Sequence, residues 1–470
     1  MAFLTEAANR GSISTGYDID FSCKFEADNS EQLYRTPSSA GNQKTWTYSV
    51  WFKRTELGAS QQLISAQDTY MYFETTDQAW LNFRSGSENF FLATNRKFRD
   101  CSAWYHAVIV CETANSTAAD RAQLWINGVR ETSYANSTYQ NLHSGIDTGM
   151  NSTNVHRIGQ YSNYGSKFSG YMAEINLVDG QALDPTYFGE FDDNNVWIPK
   201  KYTGTYGTNG FYLDFADASD LGDDESGNGN DWTEGAISSV DQATDTPTNN
   251  FCILNPVFQG NYYHAPTEGA TYISMDGVNQ YAAYSGTMGV TQGKWYYETY
   301  INSRSTSYGL SVYVGYHTFQ GNYHDSAYYS NSGQESLVMY LMNGGTYYAW
   351  DSGSRTYTDT PAGLGTSQVG QFVGVALNLD DNQISYYVNG SAISNASNLA
   401  LDDLGDEAGA GIHAMPAISV YDNNHTVNFG GYTAATISSA ETDANGYGTF
   451  EHAPPSGYYA LCTKNLAEYG

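Results

Sequence analysis

Two matched units, one in each half of the chain, constrain what it can fold into more than any other feature. Ser102–Val110 is an apolar run that leads into Arg121-Ala122-Gln123-Leu124-Trp125-Ile126 and then Asn127-Gly128. Gly370–Asn378 leads in the same way into Gln383-Ile384-Ser385-Tyr386-Tyr387-Val388 and then Asn389-Gly390. Each is an apolar strand, a short polar gap, an alternating strand and an Asn-Gly pair, the strongest short-range signal for a tight hairpin turn. The unit recurs about 260 residues apart, and such recurrence marks a duplicated architecture. Two all-β domains are therefore expected.

At 470 residues the chain can bury two cores of ordinary size. Its 41 tyrosines and 47 glycines favour strands and turns over helical bundles. Thr45–Phe52 and Ala79–Arg84 alternate apolar with polar residues, which buries one sheet face and wets the other, as a sandwich requires. Gly170–Asp179 ends in Asp179-Gly180, another turn signal. The predicted organisation is an N-terminal anchoring arm at 1–16, one sandwich at 17–220, a linker at 221–250 and a second sandwich at 251–470. Gly210–Phe215 is assigned to the first sandwich as a late strand. Asp184–Phe188 is read as a turn of helix at most, and Pro454–Leu461 as extended.

Fifty acidic against twenty basic residues set a net charge of −30. A surface so negative repels phosphate backbones and anionic lipid, so neither nucleic-acid binding nor membrane insertion is expected. The five cysteines, Cys23, Cys101, Cys111, Cys252 and Cys462, have no C-x-x-C spacing. That argues against a disulfide framework or zinc site and for assembly in a reducing cytoplasm. The first ten residues lack the apolar core of a signal peptide, so export would use another route.

Further residues carry a family resemblance. Thr36–Thr47, Trp104-Tyr105-His106, Leu124–Gly128, His156-Arg157-Ile158-Gly159 and Ala173–Leu183 resemble the laminin-G/concanavalin A-like domain of tail-fibre and other virion proteins from marine bacteriophages. Trp197–Phe211, Ser226–Trp232 and Thr246–Phe251 continue the likeness. Gly293–Glu298, Val388-Asn389-Gly390 and Val427–Gly430 are similar to a SPRY-type sandwich. The resemblance implies two tandem concanavalin A-like jelly-roll β-sandwiches with a short arm, located on the virion exterior and made in the host cytoplasm.

Catalysis is not expected. Glycan hydrolases of this architecture present two carboxylates across a cleft; Glu190-Phe191-Asp192 has such spacing, but Asn194 and Asn195 follow where a further acid is needed. Glu298 is a lone strand acid. No nucleophile elbow, His-Glu-x-x-His or phosphate loop is present, and His106 reads as a structural histidine.

Asp224-Glu225-Ser226-Gly227-Asn228-Gly229 imitates the start of a calcium loop, yet position twelve is Gly235 rather than an acid. A Gly/Asn turn and a Ca2+ loop outside the EF-hand pattern both stay open, with Asp224, Asn228 and Asn230 as metal candidates. Asp192-Asp193 and Asp402-Asp403 are read chiefly as solvated loops.

Sugar recognition needs aromatic faces with amides and carboxylates beside them. Tyr316, Phe319, Asn322, Tyr323, Asp325, Tyr328 and Tyr329 supply that mixture and are the carbohydrate-binding candidates; packing of these tyrosines in subunit contacts is the competing reading. Asn261-Tyr262-Tyr263-His264 is a weaker version. The expected role is a tail-fibre or tail-associated adhesin binding host surface glycan. Its partners would be other virion proteins through the arm and copies of itself in a homo-oligomer. A capsid or tail decoration protein and a polysaccharide depolymerase are the alternatives.

Overall fold

The computed structural model describes residues 16–470 apart from 86–87, 137–142, 162–164, 258–263, 279, 305–310, 319–335, 343–346, 352–353, 360–367 and 401–413. The anchoring arm expected at 1–16 lies outside them except for Gly16. Backbone contacts divide the chain at residue 250, into a unit of 14–249 and one containing 250–470. Both are β-sandwiches, as the duplicated hairpin unit requires.

In the first unit one sheet runs, in spatial order, Val129–Arg130, Ala122–Ile126, Tyr105–Glu112, Thr45–Arg54, Gly170–Asp179, Ser22–Phe25 and Gln242–Ala243, with Phe211–Leu213 also on Gly170–Asp179. The facing sheet runs Tyr134–Asn136, Glu88–Lys97, Gln78–Ser85, Thr69–Phe73, Gln61–Ala66, His156–Ile158, Gln32–Arg35 and Thr233–Gly235. Between them Trp46, Tyr48, Phe52, Leu63, Met71, Phe83, Ile109 and Leu124 close-pack the core. The outer face of the first sheet is covered: Val108, Val178, Phe188 and Tyr202 form one apolar cluster, and Trp51, Ala173 and Trp197 another.

Both Asn-Gly pairs form the turns they signal. Asn127 and Gly128 have φ of 48° and 75°, and Asn389 and Gly390 have 45° and 75°. Two successive positive φ values are the type I′ pattern, whose twist matches the flanking strands.

Of residues 221–250, read from the sequence as linker, 221–249 are instead part of the first sandwich: Thr233–Gly235 pairs with Gln32–Arg35, and Gln242–Ala243 with Ser22–Phe25. Low apolar content misled because edge strands need few core side chains. Pro185–Tyr187 is the single 3-10 turn expected there, begun by Asp184, which accepts from the Thr186 amide.

The second unit has one sheet in the order Tyr272–Ser274, Asn424–Asn428, Lys294–Ile301, Phe372–Asn378, Gln383–Val388 and Ser391–Ala392. The other runs Tyr281–Ser285, Ala414–Tyr421, Ser311–Thr318, Ser336–Met342, Tyr347–Asp351 and Ser354–Asp359. Trp295, Tyr297, Val314, Val375, Ile418 and Phe429 fill the space between. The extended reading of Pro454–Leu461 holds for Tyr459–Ala460, which pairs in parallel with Trp295-Tyr296. A helix unforeseen from the sequence follows at Thr463–Tyr469; seven residues are too few to show a helical period. All five cysteines are buried, and none is in a disulfide. No helix among the described residues is long and apolar enough to cross a membrane.

Candidate functional site

The facing sheet of the first sandwich turns one set of side chains to the core and the alternate set outward. In Thr69–Phe73 the odd positions are buried, and Tyr70 and Tyr72 are half-buried on the other face. Register carries the outward set across the sheet. Phe91 lies opposite Asn82, Asn82 opposite Tyr70, Tyr70 opposite Ser65, Ser65 opposite Arg157, and Arg157 opposite Tyr34. A second row pairs Trp80 with Tyr72 and Tyr72 with Gln62.

The rings form one continuous platform. Tyr70 is 5.6 Å from Tyr72 and 5.1 Å from Tyr161; Tyr72 is 6.0 Å from Trp80, and Trp80 is 6.3 Å from Phe91 in an edge-on pair. The Arg157 guanidinium sits 5.6 Å from the Tyr34 ring centre. Such contacts hold the rings at fixed angles with faces half-buried rather than collapsed into a core.

Three polar atoms on this face are buried and have no hydrogen-bond partner: Trp80 Nε1, Asn82 Oδ1 and Arg157 Nε. Asn82 is 1% exposed, and its Nδ2 donates to the Asp68 carbonyl at 2.9 Å, which fixes its amide. Arg157 Nη1 donates to Gln32 Oε1 at 2.6 Å. Orphaned donors and acceptors in a buried setting cost stability unless water or a ligand satisfies them. Burial and the nearby Glu74 carboxylate push the Tyr72 phenol upward, so it stays a neutral hydroxyl.

Phe91 also leads into a pocket of about 350 Å³. Leu92, Ala119, Ala122, Arg130, Thr132, Tyr134 and Asn136 complete its lining. Arg130 is held there by Asp120 Oδ1 at 2.7 Å. The platform and pocket together offer ring faces, amide groups and a guanidinium, and no pair of converging carboxylates among the described residues.

The residues singled out in the sequence are placed elsewhere. Tyr316 is fully buried in the core of the second sandwich, its ring edge-on to Tyr297 at 5.6 Å; this corrects its assignment to sugar binding, because strand alternation turns it inward. Phe319, Asn322, Tyr323, Asp325, Tyr328 and Tyr329 lie outside the described residues, as do Tyr262, Tyr263, Asp402 and Asp403.

Asp224, Asn228 and Asn230 come together, but as a knot of internal hydrogen bonds rather than a set of metal ligands. Asp224 Oδ1 accepts from the Tyr212 and Ser226 amides, both at 2.9 Å. Its Oδ2 accepts from Ser226 Oγ and the Asn230 amide, both at 2.8 Å. Asn228 Nδ2 donates to the Gly207 and Gly210 carbonyls, and Asn230 Oδ1 accepts from Arg35. The positive charge facing this loop is thus a guanidinium. Among the described residues no three His, Cys, Asp or Glu side chains converge as a metal group.

The possible acids are likewise engaged. Glu190 pairs with Lys200 at 3.4 Å, and Asp192 Oδ1 caps a turn by accepting from the Asn194 and Val196 amides. Glu298 is buried on Lys294–Ile301; it accepts from the Glu451 and His452 amides at 3.0 Å and from the Tyr296 hydroxyl at 3.1 Å. Burial pushes it up to about 7. It anchors a loop inside one sandwich.

The platform was not singled out in the sequence. Its signal is present: Tyr70, Tyr72, Trp80 and Phe91 occupy the polar phase of alternating strands, where a sandwich exposed to water carries charged or small polar residues.

Residues 28–186 match the family described as Laminin_G_3, concanavalin A-like lectin/glucanases superfamily, and residues 294–432 match the SPRY domain. Both domains are thus found in the chain. No curated protein matches it. Among solved structures it is similar to domains LG4-5 of the mouse laminin alpha1 chain, at 11% identity over 96% of this chain and 88% of that one, TM-score 0.27. It is also similar to the native heptameric SAP-like pentraxin of Limulus polyphemus, at 17% identity over 36% and 80%, TM-score 0.27. The SPRY domain of human HERC1 matches at 18% identity over 32% and 88%, TM-score 0.23.

Proposed function

We propose that the chain is a glycan-binding adhesin whose first sandwich holds saccharide against the platform of Tyr70, Tyr72, Trp80 and Phe91. The observation that carries this reading is the presence, on one face, of fixed aromatic rings and three unpartnered polar atoms. Sugar C–H faces stack on rings, while hydroxyls, each both donor and acceptor, suit Trp80 Nε1, Asn82 Oδ1 and Arg157 Nε alike. The lectin/glucanase superfamily match over residues 28–186 supports the same ligand class.

The role is binding without cleavage, because the acids considered for catalysis each hold a turn, an ion pair or a loop. Resemblance of the motifs around Trp104, Trp125 and Trp197 to bacteriophage virion proteins supports placing the adhesin on a particle exterior, attached to other virion proteins and directed at the host surface.

The test is binding of purified protein to host cells and extracted surface polysaccharide, with reducing ends assayed in parallel. Saturable binding that falls at least about tenfold in Trp80→Ala or Tyr70→Ala is expected; base–ring and sugar–ring stacking losses of ~1–3 kcal/mol set that scale. Unchanged binding in both variants would remove the platform from the site. New reducing ends would replace the adhesin by a depolymerase.

A further inference from the structure

Lys24, Glu31 and Asp241 meet inside the first sandwich, apart from the glycan face. Cys23 and Phe25 point into the core, so alternation sends Lys24 to the opposite side of its strand, where its side chain is 1% exposed. Its Nζ lies 2.8 Å and 3.0 Å from the two oxygens of Glu31 and 2.8 Å from Asp241 Oδ1. Both carboxyls are almost wholly buried.

The backbone presents Asp241 to Lys24. Ser22 pairs with Ala243 and Cys23 with Gln242; the next position in that antiparallel register sets Lys24 against Asp241. The carboxyl is fixed in its turn, because Oδ2 accepts the Ser238 amide N–H at 2.8 Å while Oδ1 faces the amine. Two ionised carboxyls on one buried ammonium would leave an uncompensated charge in low dielectric. Burial pushes Glu31 up to about 7, so the third group of the trio is a carboxylic acid able to donate and to accept a proton.

We propose that Lys24 and Asp241 join in an intramolecular isopeptide bond, with Glu31 as the proton carrier. A proton passes from the Lys24 ammonium to the Asp241 carboxylate, leaving a neutral amine beside a neutral acid. Nζ then attacks Asp241 Cγ, and the oxyanion develops on Oδ2, facing the Ser238 amide. Glu31 takes a proton from the nitrogen and delivers one to Oδ1, which leaves as water. The Nζ–Cγ bond forms, the Cγ–Oδ1 bond breaks, and Glu31 ends as it began. Nothing is oxidised or reduced, and no co-reactant is consumed. The product ties the strand at Ser22–Phe25 to the segment that closes the unit, a crosslink spanning residues 24 to 241.

Lys53 and Asp245 provide an internal comparison. They form an equally buried ion pair at 2.7 Å, but Asp245 Oδ1 accepts from the Trp104 indole at 2.9 Å. An indole N–H donates only and cannot relay a proton as a carboxylic acid does, so the expected loss is one water, not two.

The deciding measurement is the intact mass of the denatured full chain, followed by peptide mapping. A mass lower than the sequence by one water, about 18 Da, with the peptide of Lys24 joined to that of Asp241, is expected. Glu31→Gln and Lys24→Arg should each restore the full mass. A full-mass wild type after long incubation near neutral pH would overturn the proposal whether or not the variants fold. So would a water loss mapped to any other pair, and retention of the crosslink in Glu31→Gln would remove Glu31 from the chemistry.

Discussion

The indole N–H of Trp197 donates to Nδ1 of His106 across 3.0 Å, so that nitrogen is an acceptor and the ring proton sits on Nε2, which is 2.8 Å from Ser49 Oγ. Trp51 stacks on the same imidazole at 4.6 Å. The ring is thereby held neutral under the apolar cover of Trp51 and Trp197, and protonating it would set a donor against a donor.

Acid sensitivity follows. Burial pushes His106 from 6.5 down to about 3. Its contribution to stability is therefore complete above the unfolded value and is lost as pH falls from 6.5 toward 3, at up to about 1.4 kcal/mol per pH unit. His106→Gln keeps a donor and an acceptor without the titration. Its thermal midpoint should fall less steeply than wild type between those pH values; parallel curves would show that His106 does not govern the acid limb.

Glu298 has the opposite sign. Burial raises it from 4.5 to about 7, so the folded chain holds a proton there that the unfolded chain releases. The stability this provides is present below 4.5 and is lost as pH rises through 7. Glu298→Gln should lose less stability than wild type between those limits, read from denaturant midpoints at several pH values. An equal loss in both proteins would contradict the assignment.

Asp77 is a buried hub. Oδ1 accepts from the Gly58 amide at 2.9 Å and from Arg54 at 3.3 Å, and Oδ2 from Arg99 at 2.8 Å. Burial opposes ionisation, but the amide and the two guanidinium groups outweigh it and hold the carboxyl below its usual range. Asp77→Ala leaves the Arg54 charge buried with one partner fewer and should cost about 3–5 kcal/mol. A loss below about 1 kcal/mol in urea titration would show that Gln61 Oε1 and the Phe98 carbonyl, which accept from Arg54 at 2.9 Å and 2.8 Å, suffice to hold it.

The two Asn-Gly turns should differ in tolerance. A Cβ on Gly128 would lie 2.4 Å from the Trp197 ring, whereas on Gly390 it would meet His452 at 3.1 Å. Both changes cost about 1–2 kcal/mol for the left-handed backbone, and Gly128→Ala adds about 1–3 kcal/mol of overpacking. Equal denaturation midpoints for the two variants would show that Trp197 moves aside freely.

Strand alternation in Thr45–Phe52 and Ala79–Arg84, and the turns at Asn127-Gly128 and Asn389-Gly390, were legible along the chain because neighbouring residues decide them. The helix at Thr463–Tyr469 and the strands inside residues 221–249 were not, being too short for a period to show. The sugar-binding reading of Tyr316 failed for a related reason: its composition suits a ligand, but its phase on the strand sends it to the core.

By itself the sequence determined two all-β sandwiches, cysteines outside any disulfide framework, a strongly negative surface and the places of the tight turns, since hydrophobic period, residue type and local φ preference act over a few residues. Only the tertiary structure decided which side chains share a face. Phe91, Asn82, Tyr70, Ser65, Arg157 and Tyr34 come from six strands, and Lys24 meets Asp241 from a segment more than two hundred residues along the chain, because cross-strand register between distant segments is set by how their inward side chains pack in one core.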